Sequence, residues 1–218
     1  MQNLAQKLLT REEYEQINTA VQTAEKGTSG EIVCLVQSAS YHYPMADLLG
    51  GAAFALPIAL VLTPAIGGLL WIGHQNLWLF LGIFAILLAA FHQLVQRVPA
   101  IKRRFISRRE IDEEVHEAAV TAFFQNELYR TKESNGVLLF ISVFERRIWI
   151  LADHGVSAKV DQSEWDALVA KVSSGIKRHQ AAEAIGHAIG RIGKILAVHF
   201  PPKPDDTNEL EDLIVSAQ

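Results

Sequence analysis

The sequence contains 49 consecutive residues, between Asp47 and Arg97, that include no Asp, Glu, Lys or Arg. All 20 basic and 24 acidic residues of the 218-residue chain lie outside this stretch. A soluble fold seldom hides so long an uncharged run, whereas a helix needs only about 20 apolar residues to cross a bilayer core. The sequence therefore predicts a membrane protein with a polar part of roughly 170 residues, large enough to bury its own core.

A short turn at residues 73–76 divides the uncharged stretch into two apolar arms. Residues 48–72 and residues 77–96 are each long enough, as a helix, to span a hydrocarbon core of about 30 Å. Trp71 and Trp78 bracket the turn, and tryptophan rings prefer the headgroup level of a membrane. We predict two transmembrane helices joined as a tight hairpin. A single re-entrant or buried hairpin is the alternative.

Basic residues are concentrated directly after the second arm. Six of them occur within 13 positions, whereas the stretch from Gly27 to Asp47 and the hairpin turn contain none. Because basic flanks stay on the cytoplasmic side of a membrane, we expect both termini to be cytoplasmic. The same residues can also bind anionic lipid headgroups, which remains an alternative explanation of the cluster. They are Arg97, Lys102, Arg103, Arg104, Arg108 and Arg109.

Several classes of function are disfavoured by composition. The net charge of −4 provides no basic excess, so no nucleic-acid partner is expected. The single cysteine, Cys34, excludes an intramolecular disulfide and a Cys-rich zinc site, and its apolar surroundings indicate a small buried residue. Residues 1–15 are polar, so a cleavable signal peptide is not expected.

The polar part follows the pattern of an α/β fold. Its elements run in the order helix, strand, membrane hairpin, helix, strand, strand, helix, helix. A strand, a crossover and a second strand form a βαβ unit. Neither half alone supplies a sheet, so we predict that residues 1–47 and 97–200 fold together as one discontinuous domain. Residues 201–218 are expected to form a flexible polar tail. The predicted strands are Glu31–Gln37, Val137–Val143 and Arg147–Ala152.

Oxygen-bearing side chains occur at the ends of two predicted strands. Asn135 precedes one strand, Asp153 follows the next, and Asp161 comes shortly afterwards. Such ligands on neighbouring loops suit Ca²⁺ or Mg²⁺. The alternative is that these residues form turns and cap helices. We predict a weak divalent-cation site at Asn135, Asp153 and Asp161, and no catalytic residue is assigned because nothing nearby is an activated nucleophile.

Together, six segments resemble the TPM domain family, which is named for a thylakoid lumen protein, a photosystem II repair protein and a nematode receptor-modulating protein. The resemblance covers nearly all of the polar part and points to a bacterial membrane-anchored branch. Asp153 and Asp161 match acidic positions of the family. Ser134, however, stands where the family often has an acidic residue, and an early Asp is absent. The six segments are Thr28–Val33, Ser134–Val143, Glu145–Arg147, Ile150–Val156, Trp165–Val169 and Asn208–Leu210.

The resemblance implies a three-layer α/β/α sandwich, here interrupted by the transmembrane hairpin. Some relatives are described as acid phosphatases, some bind calcium, and others are assembly or regulatory factors. Two functions follow as expectations for a protein of the bacterial inner membrane. One is a non-catalytic module that binds a protein partner in the membrane or cytoplasm, or that supports envelope maintenance. The other is a metal-dependent acid phosphatase.

Overall fold

A computed structural model of the chain describes residues 4–73, 76–202 and 213–216. The helices are α1 (Leu4–Leu8), α2 (Arg11–Glu25), α3 (Pro44–Leu69), α4 (Leu77–Arg97), α5 (Pro99–Lys102), α6 (Arg108–Gln125), α7 (His154–Ser157), α8 (Gln162–Lys177) and α9 (Ala181–His199). The strands are β1 (Ile32–Gln37), β2 (Val137–Ser142), β3 (Arg147–Ala152) and β4 (Leu213–Ser216). Short 3-10 turns lie at Arg103–Phe105 and Leu128–Arg130.

The strands form one four-stranded sheet in the order β3-β2-β1-β4. β1 and β2 are parallel, with Ile32 opposite Val137, and β2 and β3 are an antiparallel hairpin. A parallel pair needs a crossover connection of a dozen or more residues, and α3 to α6 lie in that connection. The predicted α/β class is confirmed.

The tail differs from the sequence expectation. Residues 201–218 were expected to be flexible, yet Leu213–Ser216 forms β4 and pairs in parallel with β1, with Cys34 opposite Leu213. The expectation was wrong for this segment because a short apolar run, Leu213 to Val215, pairs with an otherwise open strand edge. Residues 203–212 and 217–218 of the tail lie outside the described residues, as do His74 and Gln75 of the predicted turn.

Helices cover both faces of the sheet. Alternate residues of β1 and β2 join one buried core with α2, α8 and α9, because successive side chains of a strand point to opposite faces. On the other face, α6 contacts β3 where Asp112 pairs with Arg147 at 2.5 Å and the His116 ring lies 4.7 Å from the Trp149 ring. The three-layer α/β/α sandwich is therefore as expected. The first core includes Ile17, Val21, Ile32, Cys34, Val36, Val137, Leu139, Ile141, Trp165, Leu168, Ile185, Ile189 and Ile192.

The chain divides into two compact units. Residues 1–41 and 112–218 form the sheet unit, and residues 42–111 form the helical-hairpin unit. The helical-hairpin unit extends beyond the predicted transmembrane segments, which begin at residue 48 and end at residue 96. At its start, α3 already begins at Pro44, because proline favours the first helical position.

In the helical-hairpin unit, α3 and α4 pack along each other. A Cβ atom added at Gly51 would lie 3.1 Å from the His92 backbone nitrogen, and the Phe54 and Phe91 rings are 5.6 Å apart. With 26 and 21 residues and mean hydropathies of 2.0 and 2.1, both helices are long and apolar enough to cross a membrane.

A buried ion pair joins the segment before the uncharged stretch to the segment after it. Lys102 Nζ donates to Asp47 Oδ2 at 2.9 Å and also to the carbonyl oxygen of His42. Lys102 and Asp47 are only 2% and 4% exposed. Since buried charges need partners, this pair fixes α5 against the first turn of α3.

In the sheet unit, α8 and α9 pack closely together at Gly175. A Cβ atom added there would lie 2.2 Å from the Cβ atom of Ala184, a separation that requires atoms to move. At Gly190 of α9, by contrast, an added Cβ would meet no described atom within 4 Å. An added methyl group therefore meets a close contact at Gly175 and open space at Gly190.

We predict that Gly175→Ala lowers the free energy of unfolding by about 2 kcal/mol, because the new methyl group overpacks the α8–α9 contact. Gly190→Ala is the matched control and should raise it by roughly 0.5–1 kcal/mol through helix propensity. Chemical denaturation of the detergent-solubilised variants measures both. Adding Ala184→Gly to Gly175→Ala should restore stability, and failure to do so would contradict the close contact.

Candidate functional site

The predicted cation site begins at the turn before β2. Asn135 is buried, and its backbone N–H donates to Thr131 Oγ1 at 3.0 Å. Its side-chain Nδ2 donates to the carbonyl oxygen of Ser29 at 2.6 Å. The Asn135 side chain thus connects the turn before β2 to the turn before β1, and this buried hydrogen bond holds the two strand entries together.

The segment after β3 lies directly against this turn. The Asp153 N–H donates to Gly136 O at 2.9 Å, and the Gly155 N–H donates to Ser134 O at 3.0 Å. A Cβ atom at residue 155 would lie 2.6 Å from the Glu133 carbonyl oxygen and 2.7 Å from that of Ser134. Glycine is therefore required for this backbone approach, and the approach brings Asn135 and Asp153 into neighbouring turns.

Asp153 has one satisfied and one unsatisfied carboxylate oxygen. Oδ1 accepts a hydrogen bond from the backbone N–H of His154 at 2.7 Å and caps α7. Oδ2 is buried and has no hydrogen-bond partner among the described residues. A buried carboxylate oxygen of this kind is a favourable ligand for a hard cation such as Ca²⁺.

Asp161 has a different role. It is exposed and caps α8, because its Oδ1 accepts from the Ser163 backbone N–H at 2.9 Å. This hydrogen bond, with a side-chain hydrogen bond from Ser163, lowers the pKa of the Asp161 carboxyl group. Within the described residues, no hydrogen bond joins Asp161 to Asn135 or Asp153, and no group of three or more His, Cys, Asp or Glu side chains is placed to hold a metal ion. The three-residue cation site stays a prediction.

A second polar cluster lies at the opposite ends of β1 and β2. The buried Glu145 accepts hydrogen bonds through Oε1 from the Ser40 backbone N–H at 2.9 Å and through Oε2 from the Ser142 hydroxyl. The Ser40 hydroxyl in turn donates to Ser142 Oγ at 2.9 Å. Both carboxylate oxygens of Glu145 are thereby occupied. The cluster fixes the loop after β1 to the β2–β3 turn.

This cluster was not predicted, because its hydrogen bonds join Ser40 to Ser142 and Glu145, which are far apart in the sequence. One signal could have indicated it. The carboxyl ends of neighbouring parallel strands meet at one sheet edge, where α/β proteins place polar residues and ligands. β1 and β2 both lead into serine at that edge, at Ser38 and Ser142.

The single thiol, that of Cys34, is buried in the core. Cys34 lies at the centre of β1, fully buried in the core, and burial raises its pKa to about 12. Because the thiolate is the reactive form of cysteine, burial makes this thiol a poor nucleophile.

Helices α2 and α9 border an open groove of about 560 Å³. The two helices are in contact where a Cβ atom on Gly193 would lie 2.7 Å from the Ala24 Cβ atom, whereas a Cβ atom on Gly190 would meet no described atom within 4 Å. Small side chains line the groove, including Ala20 and Thr23, and Lys194 lies at its border.

Comparison with known proteins agrees with this fold. Residues 102–195 match the family model described as TPM domain, which confirms the resemblance inferred from the sequence. The NMR structure of the BA42 protein from the psychrophilic bacterium Bizionia argentinensis is similar in fold, with a TM-score of 0.58 and 21% sequence identity. That similarity covers 95% of each chain. No curated protein matches the sequence.

We predict that Asn135→Asp lowers the free energy of unfolding by roughly 3 kcal/mol, because it replaces a buried donor to Ser29 O with a negatively charged acceptor. Asn126→Asp is the control, since Asn126 also donates to a backbone carbonyl but is partly exposed. Thermal melts with and without Ca²⁺ measure the effect. If Ca²⁺ stabilises Asn135→Asp more than the unaltered protein, the added carboxylate binds the ion and a cation site is favoured instead.

Proposed function

We propose that this TPM-domain protein is anchored in the bacterial inner membrane by α3 and α4, and that its sheet unit is a non-catalytic module that binds a protein partner. The observation that carries the proposal is the apolar surface of the two helices. At 1.5 Å per residue, α3 and α4 are about 39 and about 31 Å long, which matches a hydrocarbon core of about 30 Å. Only 6% of the most apolar α4 window is buried within the protein.

Large apolar side chains project outward from both helices. Leu60 and Val61 of α3 and Ile86 of α4 are 59%, 69% and 73% exposed. Monomeric soluble proteins rarely expose a continuous apolar surface of this kind, whereas lipid tails solvate it. These side chains therefore support a position inside the bilayer.

The orientation is proposed from the two ends of the hairpin. Trp71 and Trp78 are 95% and 81% exposed beside the turn, as expected for rings in a headgroup layer. Basic residues follow α4 at the opposite end of the hairpin. We infer two crossings with both termini in the cytoplasm.

The sheet unit is proposed to fold as one cooperative domain around the inserted hairpin. β1 precedes the hairpin and β2 follows it, and the two strands pair over six residues. Asn135, on the later segment, also donates to Ser29 on the earlier one. Both contacts favour joint folding of the two polar segments.

A binding role is supported by the structural roles of the residues at the candidate site. Asn135 and Asp161 already serve as a turn connection and a helix cap, and Cys34 is buried and protonated. The groove between α2 and α9 provides an open surface of small side chains. These features suit a module whose surface contacts a partner.

Reporter fusions after Asn76 and after Gln218 are expected to lie on opposite sides of the inner membrane, because one position follows the hairpin turn and the other follows the sheet unit. Two reporters, one active only in the periplasm and the other active only in the cytoplasm, are fused at each position and show on which side of the membrane that position lies. A third fusion after Ser40, preceding α3, should agree with the fusion at Gln218. The same side for Asn76 and Gln218 would contradict the hairpin.

Capture of the intact detergent-solubilised protein from bacterial membranes is expected to enrich a specific protein over an unrelated two-helix membrane bait. A Gly190→Leu bait fills the groove where an added Cβ has room, so it tests whether the partner contacts α2 and α9. Mass spectrometry of the captured proteins gives the result. If the intact protein captures the same proteins as the unrelated two-helix bait, that result would count against a binding module.

A metal-dependent phosphatase is the second candidate, and the unpartnered Oδ2 of Asp153 is the observation that favours it. A bound Ca²⁺ or Mg²⁺ would satisfy this oxygen and polarise a phosphoryl oxygen. Calcium-dependent phosphate release from p-nitrophenyl phosphate that is lost in Asp153→Ala would replace the binding proposal with this one.

A further inference from the structure

Charge is distributed unequally between the two units. The helical-hairpin unit, residues 42–111, contains six basic residues and two acidic ones, for a formal net charge of +4. The whole chain has a net charge of −4, so the sheet unit carries −8. Anionic lipids on the cytoplasmic leaflet repel an acidic body and attract basic residues close to the membrane.

One of the six basic residues is already neutralised. Lys102 is buried and donates to Asp47 and to the His42 carbonyl oxygen, so it is not available to an external ligand. Three of the others are exposed arginines that lie close to Lys102 in the sequence. We call these residues, Arg97, Arg104 and Arg108, the arginine collar.

The arginine collar is held at one end of the two apolar helices. Arg97 is the last residue of α4, and Val98 and Pro99 then break the helix. Farther along, the Phe105 ring lies 6.0 Å from the Phe54 ring, and a Cβ atom at Gly50 would lie 3.0 Å from Phe105. Phe105 therefore keeps the collar segment beside the first turns of α3.

We propose that the arginine collar binds the phosphate groups of anionic phospholipids in the headgroup layer. The proposal rests on the proposed membrane anchoring, since a bilayer around α3 and α4 places its headgroups at the helix ends. All three collar residues are arginine, whose planar guanidinium binds phosphate through two parallel hydrogen bonds. Lipid phosphate is the proposed source because the collar continues directly from the apolar surface of α4.

Topology alone requires basic residues only during insertion, whereas headgroup binding persists in the folded protein. The full chain is reconstituted into nanodiscs of phosphatidylcholine, with or without phosphatidylglycerol. Both leaflets of a nanodisc are accessible, so the charge rule that sets topology during insertion in the cell does not affect the measured lipid preference. The retention of phosphatidylglycerol and its apparent affinity are measured at low and high salt.

The triple variant Arg97→Gln, Arg104→Gln and Arg108→Gln is expected to lose about fivefold in phosphatidylglycerol affinity for each arginine removed, which follows from about 1 kcal/mol per basic residue near the surface. The control variant Lys171→Gln, Lys177→Gln and Arg178→Gln makes the same charge change at exposed positions of α8 and of its C-terminal cap, and it should retain the affinity. Replacing the three collar arginines by lysine should give an intermediate value, and high salt should reduce binding.

Unchanged affinity in the collar variant, or equal losses in the collar and control variants, would overturn the proposal. Failure of the chain to enter phosphatidylcholine nanodiscs would instead overturn the membrane anchoring itself. The two failures are distinguishable because incorporation and lipid preference are measured separately. Inorganic phosphate, added as a competitor, should reduce lipid retention no more than chloride does at the same ionic strength if the collar binds headgroups at the bilayer surface. A larger loss with phosphate would overturn lipid as the source of the bound phosphate group.

Discussion

The parallel pairing of β1 with β2 is the constraint on which the rest of the structure depends. Parallel neighbours cannot be joined by a short turn, so the chain must leave the sheet at Gln37 and return at Val137. That long connection accommodates two apolar helices without interrupting the sheet. The six paired positions of β1 and β2 in turn bring polar segments from both sides of the hairpin into one core. A large insertion is tolerated because the entropy of closing a loop rises only slowly with its length.

The buried Lys102–Asp47 pair serves the helical-hairpin unit in a similar way. It links residues on either side of the uncharged stretch, and together with Phe105 it closes the end of the hairpin where α3 begins. Two buried charges are costly to desolvate, and removing one partner of such a pair typically costs roughly 3–5 kcal/mol. The pair therefore specifies how the helix ends meet more than it adds net stability.

Much of the fold could be predicted because local patterns were strong. The predicted strands Val137–Val143 and Arg147–Ala152 agree with β2 and β3 to within one residue. β4 could not be predicted, because Leu213–Ser216 is a strand only through pairing with β1, a contact between distant parts of the chain. The Glu145 cluster was missed for the same reason. At the candidate site, sequence spacing correctly suggested that Asn135 and Asp153 lie in neighbouring turns, but the partners of their side chains depend on tertiary contacts with Ser29 and His154.

The burial of Cys34 has a practical consequence for spectroscopy. The chain contains one cysteine, and its thiol is protonated and enclosed in the core at neutral pH. Thiol-reactive probes react with exposed thiolates, so a cysteine introduced on the surface will be labelled selectively without first removing Cys34. Spin labels or environment-sensitive fluorophores at successive positions of α4 can therefore report the polarity around each labelled residue, with β1 left intact.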